Sequence, residues 1–314
     1  MTKKIEESTA AFPSKEWQQA CPADVGMDGG LLDRGLNELG SKAGNVMVVR
    51  HGHVVSCRGN VSKPVPQFSA SKTLTAMVFA HLKQEGKADY DDAVPCSDTP
   101  SGPLATFRHF LSMTSDYGLT PHEPGRHYAY NNNAIHFYGQ YMKNAFFPGL
   151  SNVGVVTGAY FDAIGRQDDI RFEGQWGGWF GGFTVSARDM ARAGYLVLRG
   201  GRWNAQQVIS EDYCQQVFRP QIAPDATPSF SRGPWDKFNQ HRFTLPLAGN
   251  YSFGWWLWDR RGEQADVAYM SGRGGNMVIL CRSLDLLIAV ANNEVEEFPP
   301  FASYLAKVRP AIVE

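Results

Sequence analysis

Ser69 and Lys72 lie three residues apart at the start of a predicted helix. Gly86 marks the expected end of this helix, which is indicated by apolar residues at helical spacing: Leu74, Met77, Val78 and Leu82. Residues three apart share one face of a helix, so the Ser69 hydroxyl and the Lys72 amine can share a proton. The unpaired N–H groups and the positive dipole end of the first turn favour developing negative charge. This pattern suits a serine nucleophile with a lysine base.

The same two residues also have a purely structural interpretation, an N-cap serine followed by a solvated lysine. A serine and a lysine at this spacing can occur by chance in a chain of this length. The helix after Ser69 is strongly apolar, however, which predicts that Lys72 begins a buried helix. Burial lowers the pKa of a lysine towards the range in which it acts as a base.

Residues 128–133, which read Tyr-Ala-Tyr-Asn-Asn-Asn, precede another predicted helix. They are either a polar capping loop with packed tyrosines or a source of catalytic groups. In the second case a tyrosine hydroxyl would relay a proton, and an asparagine would orient the lysine or hold a substrate carbonyl.

Residues 269–276, which read Tyr-Met-Ser-Gly-Arg-Gly-Gly-Asn, lie between two predicted strands. The structural interpretation is a glycine bulge or turn. The functional interpretation is that glycine lets the backbone approach a substrate, so that an N–H group completes an oxyanion hole.

The elements that must position these stretches are strands near both ends of the chain and helices in the middle. Strands are predicted at 45–50, 53–56, 251–258, 264–270, 276–282 and 286–291, and a long surface loop at 220–250. Helices are predicted at 31–39, from Ser69 to Gly86, at 107–113 and 134–145, after Ser186 and Ser210, and at 301–308. This order predicts an α+β fold with an antiparallel sheet, flanking terminal helices and a mostly helical lobe.

The expected domain organisation follows from the same order. Residues 1–68 and 251–314 would form a discontinuous sheet domain, and residues 69–250 a mostly helical domain. The catalytic cleft would lie between them, where ligand sites commonly occur.

Composition excludes several classes of function. The chain has 314 residues with 43% hydrophobic and 19% charged residues and a net charge of −1. Such a chain is expected to be a soluble globular protein without a nucleic-acid or membrane partner. The N-terminus lacks the apolar segment of a signal peptide, and the five cysteines show no CxxC spacing, so we expect a cytoplasmic protein with reduced thiols. We expect no metal or other cofactor, since the eight histidines form no pair backed by acidic ligands.

Together the three stretches resemble the serine β-lactamase and penicillin-binding-protein superfamily. The similarity is to its class C-like branch, which includes esterases and 6-aminohexanoate-dimer hydrolases. Three further segments, 85–94, 107–115 and 182–191, are similar to characteristic segments of that family. The GxSxG elbow of α/β-hydrolases is absent.

The resemblance implies a role for each matching residue. Ser69 matches the nucleophile and Lys72 the motif lysine. The tyrosine motif has two possible registers, and the helix that follows it selects the one in which Tyr130 is the tyrosine and Asn132 the asparagine, rather than one beginning at Tyr128.

The third motif of the family, usually Lys-Thr-Gly, matches Met270, Ser271 and Gly272, and on this register the oxyanion amides belong to Ser69 and Arg273. Met270 departs from the pattern, because the family lysine helps to bind the carboxylate of penicillins and of peptide termini. The departure argues against β-lactam hydrolysis, and esterase and amidase members commonly lack this lysine too. The orientation of Arg273 is not readable from the sequence.

The function implied is a serine hydrolase that forms an acyl-enzyme on Ser69 and cleaves a small-molecule ester or amide. The alternatives are a β-lactamase or D-amino-acid peptidase, and a non-catalytic ligand-binding relic of the fold. Four tryptophans are expected to pack in the core, with an acyl pocket as the alternative: Trp176, Trp179, Trp255 and Trp256. The oligomeric state is left open.

Overall fold

The computed structural model describes residues 11–95, 105–117, 124–222, 227–228, 251–261, 264–292 and 300–313. The α-helices of these residues are α1 Gly29–Glu38, α2 Ser71–Gln84, α3 Phe107–Leu111, α4 Asn132–Phe146, α5 Asn152–Val156, α6 Ala187–Leu198, α7 Glu211–Gln216 and α8 Phe301–Val308. The strands are β1 Asn45–Arg50, β2 His53–Arg58, β3 Val65–Pro66, β4 His127–Tyr128, β5 Arg171–Phe172, β6 Phe183–Val185, β7 Arg202–Trp203, β8 Gln206–Gln207, β9 Thr227–Pro228, β10 Tyr251–Ser252, β11 Trp255–Arg261, β12 Gln264–Gly272, β13 Asn276–Cys281 and β14 Leu286–Ala291. Most of the predicted 220–250 loop lies outside the described residues.

Seven of the described strands form one antiparallel sheet in the order β10-β11-β12-β13-β14-β1-β2. Strand β14 pairs with β1, with Asn45 opposite Ala291, so strands from the two ends of the chain join in one sheet. The predicted α+β fold with an antiparallel sheet is confirmed. Every residue of β13 and β14 is buried, which explains why these strands are continuous apolar runs.

Helix α6 packs on one face of this sheet, and the terminal helices α1 and α8 pack together on the other. Gly194 brings α6 so close to β13 that a Cβ there would lie 2.6 Å from Val278 Cγ1. The sequence predicts that the chain termini cover the sheet. The structure shows that α6, a helix from the middle of the chain, also packs on it. The division into domains 1–68 with 251–314 and 69–250 stays a prediction.

The start of α6 shows how tertiary contacts modify a local signal. The Ser186 side chain caps the helix by accepting a hydrogen bond from the Asp189 N–H at 3.2 Å, as its position in the sequence predicts. The Asp189 carboxylate does not close a capping box. It accepts hydrogen bonds from the N–H groups of Gln167 and Asp168, both at 2.8 Å, and so ties that loop to α6.

Helix α2 is buried on nearly all sides, from Ser71 to Ala80 and at Leu82. Its polar groups are satisfied by neighbouring backbone: the Thr75 hydroxyl donates to the Trp179 carbonyl at 2.7 Å, and the Tyr160 hydroxyl donates to the Leu74 carbonyl at 3.0 Å. A helix that is apolar all round belongs in a protein core or in a bilayer. Among the described residues, no helix is both long and apolar enough to cross a membrane.

A small sheet in the order β3-β6-β5 joins the segment before Ser69 to the middle of the chain. Its strands have two or three residues each, too short to show a period in the sequence. The ladder continues into Gln67, whose N–H donates to the Phe183 carbonyl at 2.8 Å. The backbone that leads to Ser69 is therefore held by pairing with β6.

Candidate active site

Ser69 lies in a single 3-10 turn, Phe68–Ala70, which runs directly into α2. Phe68 has a φ of 47°, a left-handed conformation that costs a non-glycine residue about 1 kcal/mol. The buried Gln67 holds this turn, because its side-chain amide donates to the carbonyls of Val65 at 3.0 Å and Val185 at 2.8 Å. Ser69 is thus presented, half-buried, on a constrained backbone.

Lys72 is 2% exposed, so its interpretation as a solvated helix lysine is wrong. Its Nζ lies 3.1 Å from Ser69 Oγ and 3.3 Å from the Phe180 carbonyl oxygen. Burial lowers the pKa of Lys72 to about 7. Near neutral pH a large fraction of the amine is therefore uncharged and able to accept the Ser69 proton.

Tyr130 occupies the other side of this pair. Its ring centroid is 4.7 Å from Lys72 Nζ, and its ring stacks on Trp256 at 5.8 Å between centroids. Burial raises the pKa of Tyr130 to about 12, and a hydrogen bond with the Ser69 side chain offsets part of this increase. Tyr130 is therefore a neutral phenol at physiological pH, suited to donating a proton. Tyr128 instead packs beside Tyr251 in the core.

Two neighbouring asparagines at the start of α4 have different surroundings. Asn131 is the N-cap: its Oδ1 accepts from the Ala134 N–H at 3.1 Å, and its Nδ2 donates to the Tyr117 carbonyl at 2.7 Å. Asn132 Oδ1 is buried and has no hydrogen-bond partner among the described residues. It does not orient Lys72, whose amine bonds Ser69 and Phe180, so its acceptor is available to a substrate.

The end of β12 comes directly against the Ser69 turn. A Cβ on Gly272 would overlap the Gln67 carbonyl oxygen and lie 3.1 Å from the Ala70 nitrogen. Ser271 precedes it, half-buried and opposite Met277 of β13, and Arg273 follows it with an exposed side chain. The structure therefore brings the third predicted stretch to the Ser69 turn. Met270 is fully buried in the sheet.

Comparison with known proteins identifies the fold that carries this site. Residues 30–151 match the family model named Beta-lactamase. A 6-aminohexanoate-dimer hydrolase candidate from Bacillus anthracis has 18% identity and a TM-score of 0.68, with 98% of this chain and 88% of that chain covered. The chain has the fold of serine β-lactamases and penicillin-binding proteins. The resemblance stated from the sequence is confirmed at this level.

Two further solved structures have the same β-lactamase fold. A penicillin-binding protein from Bacillus halodurans has 14% identity and a TM-score of 0.61, covering 89% of this chain and 98% of that one. EstCE1, a hydrolase with promiscuous acyltransferase activity, has 11% identity and a TM-score of 0.65, covering 91% of this chain and 99% of that one. No curated protein matches the chain in sequence. These identities show the fold alone.

Phe180 is a member of the site that the sequence analysis did not single out. Its carbonyl accepts from Lys72, and its ring centroid lies 5.3 Å from the same amine. The sequence feature that could have pointed to Phe180 is the run Gly177-Gly178-Trp179-Phe180-Gly181-Gly182, whose glycines permit a tight loop.

The tryptophans divide between the core and the edge of the site. Trp179 and Trp255 are fully buried, as expected. Trp256, 8% exposed, packs against Tyr130, whereas the Trp176 side chain lies outside the described residues. No group of three or more potential metal-binding side chains occurs within the described part of the chain.

Gly272→Ala is expected to damage this β-lactamase-fold site more than its size suggests. The new Cβ has no room beside the Gln67 carbonyl, so β12 and the Ser69 turn must separate. We expect a loss of about 1–3 kcal/mol in the free energy of unfolding and of about 100-fold or more in activity. Urea unfolding and ester hydrolysis measure the two effects.

Gly158→Ala is the matched control, since a Cβ there meets no atom within 4 Å. It should leave both measurements near the wild-type values. Wild-type activity in Gly272→Ala would show that β12 does not need to approach the Ser69 turn.

Proposed function

We propose that this protein is a serine hydrolase that forms an acyl-enzyme on Ser69 and cleaves a small ester or amide. The observation that carries the proposal is the 3.1 Å hydrogen bond between Ser69 Oγ and a buried Lys72 whose pKa is lowered to about 7. A neutral amine at hydrogen-bond distance is what a serine nucleophile requires of its base.

Acylation would proceed as follows. Lys72 Nζ takes the proton of the Ser69 hydroxyl while Oγ bonds to the substrate carbonyl carbon. The carbonyl oxygen becomes an oxyanion held by the backbone N–H groups of Ser69 and Arg273. Tyr130 donates its hydroxyl proton to the leaving oxygen or nitrogen as that bond breaks, and regains a proton from Lys72.

Deacylation repeats these steps with water. Lys72 Nζ, neutral again after acylation, removes a proton from a water molecule, whose oxygen attacks the acyl carbon. The Ser69–acyl bond then breaks, and the proton returns to Ser69 Oγ. The buried Asn132 Oδ1, two residues after Tyr130 in the chain, has no partner among the described residues and supports a role in accepting a hydrogen bond from the substrate. Proteins with the same fold include a hydrolase, which is consistent with this reaction class.

The choice of ester or amide over β-lactam rests on Met270. A buried, uncharged side chain stands where a lysine would attract a substrate carboxylate. We therefore propose a small-molecule substrate that does not depend on a cation at this position.

A substrate panel tests the proposal. It comprises short and long p-nitrophenyl esters, linear anilides, a D-alanyl-D-alanine peptide and nitrocefin, combined with fluorophosphonate labelling and mass spectrometry. Turnover of esters or anilides together with a Ser69 adduct supports the proposal. Preferential nitrocefin or D-peptide turnover would favour the alternative enzymes, and the absence of both turnover and adduct would indicate a non-catalytic protein.

A further inference from the structure

We propose that Asn276 is a positioning residue that sets the separation of the two oxyanion donors, Ser69 N–H and Arg273 N–H. This inference rests on the proposed function. Asn276 is the first residue of β13, directly opposite Gly272, and its side chain is fully buried. It touches no reacting atom in the proposed mechanism and would act through the backbone that it holds.

The Asn276 amide makes three hydrogen bonds to backbone. Its Nδ2 donates to the Pro66 carbonyl at 3.0 Å and to the Arg273 carbonyl at 2.8 Å. Its Oδ1 accepts from the Asn292 N–H at 2.8 Å. Since two carbonyls face one end of the amide and an N–H faces the other, the orientation of the amide is determined. Both of its hydrogens are used.

These bonds connect the two arms of the proposed oxyanion hole to the sheet. Pro66 lies in β3, three residues before Ser69, and Arg273 supplies the second donor. Asn292 directly follows β14, a central strand of the large sheet. The Asn276 side chain therefore holds both backbone segments, the one before Ser69 and the one at Arg273, against the end of β14 in the large sheet.

The turn that carries Arg273 needs such an external constraint. Arg273 is followed by Gly274 and Gly275, which have φ values of 81° and 86°. Glycine samples this region freely, so two consecutive glycines make the turn intrinsically soft. The bond from Asn276 to the Arg273 carbonyl restricts the peptide that follows the oxyanion donor.

Loss of the Asn276 amide should therefore impair catalysis more than substrate binding. Losing one oxyanion donor costs about 100- to 1000-fold in kcat, and a misplaced donor loses part of that. For Asn276→Ala we expect kcat to fall by about 10- to 100-fold. KM should stay within about threefold of the wild-type value, since the donors bind charge that develops in the transition state.

The experiment compares Asn276→Ala and Asn276→Asp with the wild type on the best ester of the panel. Asn276→Asp keeps the size and one acceptor of the side chain but has no N–H donors for the two carbonyls. Active centres are counted by exhaustive fluorophosphonate labelling of Ser69, so that kcat refers to folded sites. The inhibition constant of a trifluoromethyl ketone, whose hemiketal oxyanion would occupy the hole, gives a second readout.

Asn45 offers matched controls in the same sheet, Asn45→Ala and Asn45→Asp. Its side chain also bridges backbone groups, since it donates to the Ala291 carbonyl at 3.0 Å and accepts from the Asn60 N–H at 2.7 Å. These variants should lose stability and keep kcat. The Asn276 variants should lose kcat and trifluoromethyl ketone affinity by similar factors.

The outcomes separate the inference from the proposed function. If the wild type shows neither turnover nor a Ser69 adduct, the proposed function is wrong. If the wild type is active and both Asn276 variants match it per labelled site, Asn276 is merely structural and the inference is overturned. A rise in KM at unchanged kcat would also overturn it, because that pattern indicates lost ground-state binding.

Discussion

Ser69→Ala is expected to lower kcat/KM for an activated ester by about 10⁵-fold while leaving the fold intact. The variant loses the atom that would form the acyl bond, together with the hydroxyl that lies 3.1 Å from Lys72 Nζ. The oxyanion donors remain, so a small rate above that of water alone should persist. Stopped-flow hydrolysis of a p-nitrophenyl ester and mass spectrometry after fluorophosphonate treatment measure the loss.

Ser71→Ala is the control for this experiment. Ser71 is buried two residues further along the chain, and its hydroxyl oxygen accepts from the Phe183 N–H at 3.2 Å. Its loss should cost about 1–2 kcal/mol of unfolding free energy and keep the Ser69 adduct. Activity that survives in Ser69→Ala but disappears in Ser71→Ala would transfer the nucleophile to Ser71.

Lys72→Met is expected to remove the pH dependence of the reaction together with most of its rate. In the wild type, kcat/KM should rise tenfold per pH unit below about pH 7 and level off above it, because the neutral amine is the active form and burial lowers the pKa of Lys72 to about 7. The variant lacks the base and should lose about 10³-fold or more in kcat/KM, with no inflection near pH 7.

The same substitution, which should lower activity, should raise the stability of the folded protein. The folded-state pKa of Lys72, about 7, lies below the usual 10.5, so the unfolded chain binds the extra proton between these values. Stability from this group is therefore fully present above about pH 10.5 and is lost as the pH falls to 7. The free energy of unfolding should fall by on the order of 5 kcal/mol over this pH range, since Lys72 is only 2% exposed and solvent screens its charge little. Lys72→Met should lack this dependence and unfold at higher urea concentration than the wild type at pH 7.

Lys83→Met on the same helix is the control. Lys83 forms a salt bridge with the exposed Asp89 at 2.9 Å, worth at most about 1 kcal/mol. The Lys83→Met variant should keep the wild-type dependence of kcat/KM on pH and the wild-type dependence of stability on pH. A wild-type pH profile without an inflection near 7, or an unchanged profile in Lys72→Met, would rule out Lys72 as the base.

The sequence alone determined the features that depend on neighbouring residues. The helix that begins just after Ser69 and the paired strands β1 and β2 lie close to their predicted positions, because periodicity and turn residues are local signals. The α+β fold followed from the order of these elements. The burial of Lys72 also followed, because the helix that it begins is strongly apolar.

The tertiary structure decided which groups surround the reacting atoms. Phe180 meets Lys72 across 108 residues of chain, and Asn276 meets Pro66 across 210. The short strands β3 and β6, which set the backbone before Ser69, are held by pairing with each other and carry no periodic signal. Contacts of this kind depend on how distant elements pack, so the three-dimensional arrangement is needed to reveal the partners of Lys72 and the bonds that would align the oxyanion donors.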